Sequence, residues 1–182
     1  ADIDFIRAKA LFAEQVKVIK PIVEDKRQMD WARAVHPLLF LSLQKQGKQV
    51  VPLDIELTEG KRILIISGPN AGGKSVCLKT VGLLQYMLQC GLLIPLHERS
   101  RTGIFEHIFI DIGDEQSIEN DLSTYSSHLT NMKYFVKNCN ERTIILIDEF
   151  GSGTEPQIGG AIAEALLDRF NRNHSLSLIH IS

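Results

Sequence analysis

Residues 63–75 read Ile-Leu-Ile-Ile-Ser-Gly-Pro-Asn-Ala-Gly-Gly-Lys-Ser and contain the most informative pattern in this chain. The four apolar residues at the start predict a strand covered on both faces, as in a parallel sheet. The residues from Gly68 to Ser75 then match the pattern G-x-x-x-x-G-K-[ST] in full. Residues 74–90 are apolar on most faces and are followed by Gly91, so they predict a crossover helix. This order of strand, glycine loop and helix predicts a phosphate-binding loop.

The residue types in this loop suit phosphate chemistry. Glycines let successive backbone N–H groups turn toward phosphate oxygens, and the N-terminus of the next helix favours the same anion. Lys74 is expected to reach the β and γ phosphates, and the Ser75 hydroxyl to bind Mg²⁺. We therefore predict ATP and Mg²⁺ as cofactors, with nucleotide contacts from Gly68, Pro69, Asn70, Ala71, Gly72, Gly73, Lys74, Ser75 and Val76.

A second phosphate-chemistry signal follows the apolar run at residues 144–147. Asp148 and Glu149 come directly after it, at the expected carboxyl end of a buried strand, where α/β proteins bind ligands. Asp148 is expected to support the Mg²⁺, and Glu149 to act as base or to position water for attack on the γ phosphate. An ordinary strand end can carry the same residues, so the pair is informative because the phosphate loop precedes it. Glu149 and Lys74 are the predicted catalytic residues.

The remaining pattern alternates strands and helices. Alternating apolar residues predict a strand at 51–57, and helical spacing predicts a helix from residue 3 to about 20, before Pro21. This alternation predicts a doubly wound α/β fold. Further strands are predicted at 107–112 and 143–147, and further helices at 126–136 and 156–170.

Composition excludes several classes of protein. The chain has 182 residues and a formal charge of −2, so its net charge gives no general attraction to nucleic acid or anionic membranes. No apolar run is long enough to span a bilayer, and the first residues lack the pattern of a signal peptide, so we expect a cytoplasmic protein without membrane contact. The three cysteines form no Cys-x-x-Cys pair, and we expect buried free thiols.

Four segments together resemble the ATPase domain of the MutS family, and more narrowly its MutS type 2 branch. They are the phosphate loop, Asp111-Ile112-Gly113-Asp114-Glu115-Gln116-Ser117-Ile118, Leu122-Ser123-Thr124-Tyr125-Ser126-Ser127-His128, and the nine residues from Asp148 to Pro156. The resemblance covers most of residues 1–175. Mismatch-recognising MutS proper is expected to differ in the second and third segments.

The resemblance implies a P-loop NTPase of ATP-binding-cassette type, with a mostly parallel sheet flanked by helices and a small antiparallel β portion. It also implies a homodimer in which each ATP lies between one protomer's phosphate loop and the other's signature segment. Ser123 and Thr124 match that segment, and Gln116 matches a loop that senses magnesium or water. Val51 aligns with adenine-side contacts. An N-cap, a solvated glutamine and an apolar edge strand are the respective structural alternatives.

The resemblance also suggests a division of the chain. Residues 1–35 match the end of an upstream helical region, and residues 36–174 match the ATPase domain. Family members continue into a strand that ends in a threonine–histidine pair. In this chain His180 falls about two positions too early, and we expect residues 175–182 to be a non-native or truncated tail that leaves the sheet without a central strand. A short final strand carrying His180 is the alternative.

The leading hypothesis is an ATP-hydrolysing motor domain of a MutS type 2 protein. The resemblance implies recombination suppression and the processing of branched DNA or stalled ribosomes, with DNA, and in some cases the ribosome, bound through regions outside these residues. Two alternatives stay open: a nucleotide-gated dimerisation module with little turnover, and mismatch-recognising MutS proper. A transporter nucleotide-binding domain is disfavoured because no Leu-Ser-Gly-Gly signature occurs.

Overall fold

The computed structural model describes residues 2–68, 73–113, 121–150 and 155–181. Helices and strands alternate along most of this sequence. The helices are α1 (Asp2–Val16), α2 (Pro37–Gln44), α3 (Lys74–Gln89), α4 (Asp121–Asn138) and α5 (Pro156–Arg172). The strands are β1 (Ile22–Val23), β2 (Met29–Ala34), β3 (Leu53–Leu57), β4 (Ile63–Ile66), β5 (Arg101–Thr102), β6 (His107–Asp111), β7 (Thr143–Phe150) and β8 (Leu176–Ile181).

The chain forms two compact units. The first comprises residues 1–56 and 79–104, and the second residues 57–78 and 105–182. The predicted boundaries at 35/36 and 174/175 separate domains of the family and not compact units, so they stay a prediction. No helix in the described ranges is both long and apolar enough to cross a membrane.

The second unit contains a sheet with the strand order β4-β8-β7-β6. All its neighbouring strands pair in parallel, which confirms the predicted α/β class with a parallel sheet. One face of this sheet is covered by α4 and α5, because side chains from both helices and two strands form a single buried cluster. Its members are Met132, Phe135, Ile145, Ile147, Phe170 and Ile179.

Residues 176–181 correct one expectation. They form β8, which lies between β4 and β7, so the sheet does not lack a central strand. Residues 175–180 are all buried. The physical reason is that Leu176, Leu178 and Ile179 supply apolar side chains to both faces of the strand. The observed arrangement is therefore a final strand that carries His180.

Strand β4 corrects a second expectation. We expected both faces to be covered, but Leu64 is 37% exposed and Ile65 is 47% exposed in the described structure. The reason is its position, because β4 is at one end of the strand order and has only β8 as a sheet neighbour among the described strands. An open groove between β4 and α5 is lined mainly by Ile63, Ala163 and Leu167.

The first unit contains a smaller sheet with the order β1-β5-β2-β3. Strand β5 pairs antiparallel with β2 and parallel with β1, so this sheet is mixed, whereas a small antiparallel portion was expected. The side chains of Met29 and Trp31 on β2 are fully buried. The expectation of buried cysteines was wrong, because Cys90 is exposed and Cys77 and Cys139 are only half-buried, although all three are free thiols.

Gly103 predicts a measurable stability effect. A Cβ atom at this position would lie 2.0 Å from the backbone oxygen of Lys26. Gly103→Ala should therefore lower the free energy of unfolding by about 2–3 kcal/mol, measured by urea titration, because the backbone must shift. At Gly60 an added Cβ meets no atom within 4 Å, so Gly60→Ala serves as the matched control and should be nearly neutral. Equal effects of the two substitutions would contradict the steric explanation.

Candidate functional site

The site is built on the carboxyl edge of the parallel sheet. The register pairs Ile66 of β4 with His180 of β8, Ile179 of β8 with Ile147 of β7, and Ile147 with Asp111 of β6. Since parallel strands end on the same edge, the phosphate loop, His180, Asp148 and Asp111 all follow or end neighbouring strands there. Ligands of open α/β sheets bind in the crevice at this edge.

The described ends of the phosphate loop have the backbone conformation that the motif requires. Gly68 has a φ of 143° and Gly73 has a φ of 75°, and both values favour glycine over residues with a Cβ. Helix α3 begins at Lys74, directly after the loop. Four of the predicted nucleotide contacts, Pro69, Asn70, Ala71 and Gly72, lie outside the described residues.

The first residues of α3 differ in their exposure. Lys74 is only 7% exposed, and its Nζ donates to the carbonyl of Gly68, so its ammonium group is held at the beginning of the loop. Ser75 is half-buried, whereas Val76 is exposed. Cys77 is also half-buried, and burial raises the pKa of its thiol to about 11. The buried cation beside the loop is the feature that an anionic ligand needs.

Asp148 is almost completely buried, and it has a partner that we did not anticipate. Its Oδ1 lies 2.7 Å from Nδ1 of His180 and accepts the backbone N–H of Glu149 at 3.1 Å. His180 is 2% exposed, and its Nε2 is buried without a hydrogen-bond partner among the described residues. This ring nitrogen of the pair is therefore left for a ligand.

Glu149 lies in a distortion of β7. The pairs Ile147–Ile179 and Phe150–Ile181 enclose one more residue on β7 than on β8, which is the pattern of a β-bulge. Glu149 has a φ of 52°, a left-handed conformation that is uncommon for residues with a side chain. Bulges and strained backbone conformations occur next to active sites, where they redirect a side chain. Glu149 is half-buried at this position.

The residues present fit a magnesium–nucleotide ligand. Mg²⁺ is usually held by one or two carboxylates together with substrate phosphates and water, rather than by a full set of protein ligands. The described ranges contain no group of three or more His, Cys, Asp and Glu residues that could hold a metal ion. Among the described residues, the Asp148 carboxylate and the Ser75 hydroxyl can supply oxygen ligands to Mg²⁺, and Lys74 supplies a cation for phosphate.

Four predicted site residues are not brought into this arrangement by the described structure. Ser123 and Thr124 were expected just ahead of a helix, but α4 begins at Asp121, so both lie in its first turn. Gln116 lies outside the described residues. Val51 is 89% exposed, precedes β3 and belongs to the first compact unit.

His36 has a structural role in the first unit. It is the N-cap of α2, and its Nδ1 accepts the backbone N–H of Leu39 at 3.3 Å. Burial, with a smaller contribution from the charge of Lys79, holds the pKa of His36 below its usual value. A neutral ring is required for this cap, because Nδ1 must accept a hydrogen bond.

A second polar cluster at the same edge was missed by reasoning from the sequence. Asp111 is 6% exposed and contacts His128 and Asn131 of α4. Asp111 and His128 both fall in segments that carry the family resemblance, but their spacing gives no sign that they meet. An aspartate at the end of a buried strand was the available signal, and the same pattern was used for Asp148.

Comparisons with known proteins agree with this geometry. Residues 64–180 match the family described as MutS domain V. The chain is 46% identical over 178 residues to endonuclease MutS2 of Shouchella clausii, covering 98% of this chain and 22% of that protein. It is 48% identical over 173 residues to putative endonuclease MutS2 of Bacillus subtilis, covering 95% of this chain and 21% of that protein.

A further relative is endonuclease MutS2 of Listeria monocytogenes, which is 48% identical over 165 residues, covering 91% of this chain and 20% of that protein. The chain thus spans about a fifth of the length of these curated relatives. The match to MutS domain V includes the predicted phosphate loop, Asp148, Glu149 and His180. With a parallel sheet that carries these residues on one edge, this chain belongs to the MutS family through its domain V.

Proposed function

We propose that this chain is an ATP-binding and ATP-hydrolysing motor domain of ATP-binding-cassette type, from a DNA-processing protein like the MutS2 relatives. The observation that carries the proposal is the shared edge of β4 and β7. It combines the cation of Lys74 next to a glycine loop with the acidic pair Asp148 and Glu149. Cation, loop and carboxylates at the ends of parallel strands are what phosphoryl transfer to water requires.

In this proposal each residue acts on the phosphates, on the attacking water or on the metal ion. Lys74 exchanges the Gly68 carbonyl for oxygens of the β and γ phosphates, so its charge offsets the negative charge of the transition state. Glu149 orients water for in-line attack on the γ phosphate and accepts its proton. Ser75 and Asp148 would hold the Mg²⁺, which supplies charge neutralisation when bound.

The hydrogen bond between Asp148 and His180 orients the Asp148 carboxylate in this site. With Nδ1 donating to Asp148, the neutral ring of His180 leaves a lone pair on Nε2, and the protonated ring would present a donor there. In either state the hydrogen bond holds Oδ1 of Asp148 and thereby limits rotation of the carboxylate. His180 is therefore a positioning residue in this scheme.

Assembly and biological role extend beyond the described residues. We propose a homodimer with composite ATP sites, in which Ser123 and Thr124 contact the partner's nucleotide, Gln116 senses magnesium or water, and Val51 contacts adenine. We also propose that the chain acts in the cytoplasm in DNA processing, with DNA bound through other regions of a longer protein. Its role would be the suppression of recombination and the processing of branched DNA or stalled ribosomes. The curated relatives are named as endonucleases, and that activity is theirs.

The proposal is tested by titrating a fluorescent ATP analogue with Mg²⁺ into the chain and measuring phosphate release from ATP on the same samples. Binding together with release supports an ATPase. Binding and ATP-dependent self-association without release would instead favour a nucleotide-gated dimerisation module. Absence of binding would overturn the proposal, provided that circular dichroism shows a folded chain.

A further inference from the structure

Asp111 joins the end of β6 to helix α4 at two points. Its Oδ2 lies 2.6 Å from Nδ1 of His128, and its Oδ1 accepts a hydrogen bond from Nδ2 of Asn131 at 2.8 Å. Both oxygens of this buried carboxylate therefore have partners on one helix. His128 and Asn131 are three residues apart, so they are neighbours on the same helical face.

Two attachment points constrain a helix more than one does. A single hydrogen bond permits rotation about it, whereas two bonds to one carboxylate fix both the rotation of α4 and its position along β6. Hydrogen bonds to an ionised group are shorter and stronger than neutral ones, which agrees with the distance to His128. Asp111 is also held rigidly, because it pairs with Ile147 in the sheet.

The imidazole of His128 also faces the segment that follows β6. A Cβ atom added to Gly113 would lie 3.6 Å from Nε2 of His128. The ring is therefore placed between the Asp111 carboxylate and the backbone two residues further along. One side chain thus contacts the strand end and lies against the start of the segment that leads to Gln116.

We propose that Asp111, His128 and Asn131 form a latch that positions the N-terminal part of α4 against the catalytic edge of the sheet. These are positioning residues: they act through the first turn of α4 and through Ile112 and Gly113, which follow Asp111. The functional part rests on the proposed ATPase, because it assumes that α4 presents the signature to a partner's nucleotide. The latch itself is a property of the second compact unit alone.

Asn131→Asp is the most direct test, because it places a carboxylate against the Asp111 carboxylate and replaces attraction by repulsion. Asn131 is exposed, so the substitution leaves the core untouched. The matched control is Asn138→Asp, the same change on the same helix, where the amide donates to the backbone oxygen of Tyr134. Hydrogen exchange without nucleotide should become about tenfold faster at the amides of residues 121–128 in Asn131→Asp and stay unchanged in Asn138→Asp.

Activity is measured on the same variants. We expect the rate of phosphate release by Asn131→Asp to fall about tenfold or more, because the activation free energy rises. The Kd of the fluorescent ATP analogue should stay within about twofold, because the phosphate loop is on another strand. His128→Ala should behave like Asn131→Asp. His128→Asn should recover part of the activity, because its Nδ2 can donate to Asp111 as Nδ1 does.

The outcomes separate the latch from the ATPase. Unchanged exchange at residues 121–128 in Asn131→Asp would overturn the latch, whatever the chain does with ATP. Faster exchange with normal phosphate release would overturn its positioning role. If the unaltered chain released no phosphate, the proposed ATPase would fail, and the exchange experiment would still decide whether the latch exists.

Discussion

Lys74→Ala should raise the Kd for ATP with Mg²⁺ by about a hundredfold, measured by fluorescence titration. The buried ammonium group at the start of α3 is the cation that the proposed phosphate loop would place beside a bound phosphate. Charge-assisted hydrogen bonds contribute about 1.5–3 kcal/mol each, and tenfold in Kd corresponds to about 1.4 kcal/mol. Removing contacts to two phosphates therefore accounts for a loss of this size.

Lys79→Ala is the control for this experiment. Lys79 is an exposed lysine on the same helix, so the variant changes the net charge equally and leaves the phosphate loop intact. Its Kd should match that of the unaltered chain. Because Lys74 also donates to Gly68, thermal unfolding of both variants should be measured to show that they remain folded. Equal affinities for the two variants would show that Lys74 does not contact the phosphates.

Glu149→Gln should bind ATP normally and release phosphate about 10²–10⁴ times more slowly, the range typical of general base catalysis. Glutamine has nearly the same size and can occupy the same bulge, but its amide cannot accept a proton from water at neutral pH. Single-turnover phosphate release separates this loss from any change in affinity. The Asp148–His180 pair should be unaffected, since it uses only the backbone N–H of Glu149.

The matched control is Glu164→Gln, which removes an exposed carboxylate from α5 in the same compact unit. Its turnover should equal that of the unaltered chain. If Glu149→Gln retained full turnover, another group would have to orient the attacking water. The proposed division of labour between Asp148 and Glu149 would then be wrong.

The elements that were predictable are those whose signal is local. Strand β4 was predicted at its observed bounds, and α3 was predicted to within one residue at its end. The buried strand before Asp148 was also expected, although β7 extends through Glu149 to Phe150. Glycine spacing, a four-residue apolar run and a following helix depend only on neighbours in the chain, so they can be recognised without a tertiary structure.

Several of the elements that were missed depend on distant partners. Strands β1 and β5 have two residues each, and they exist only because each pairs with another part of the chain. Strand β8 was expected to be absent as an ordered element. Its short sequence becomes a central strand because β4 and β7 provide hydrogen-bond partners on both sides.

Local chemistry was therefore readable from the order of residues: a phosphate loop on β4 and a carboxylate pair after β7. The tertiary structure decided which side chains meet. Asp148 reaches His180 across 32 positions and Asp111 reaches His128 across 17, and both contacts arise from strand order and register. Such pairings are set by the packing of whole strands and helices, and a sequence pattern carries no direct signal for them.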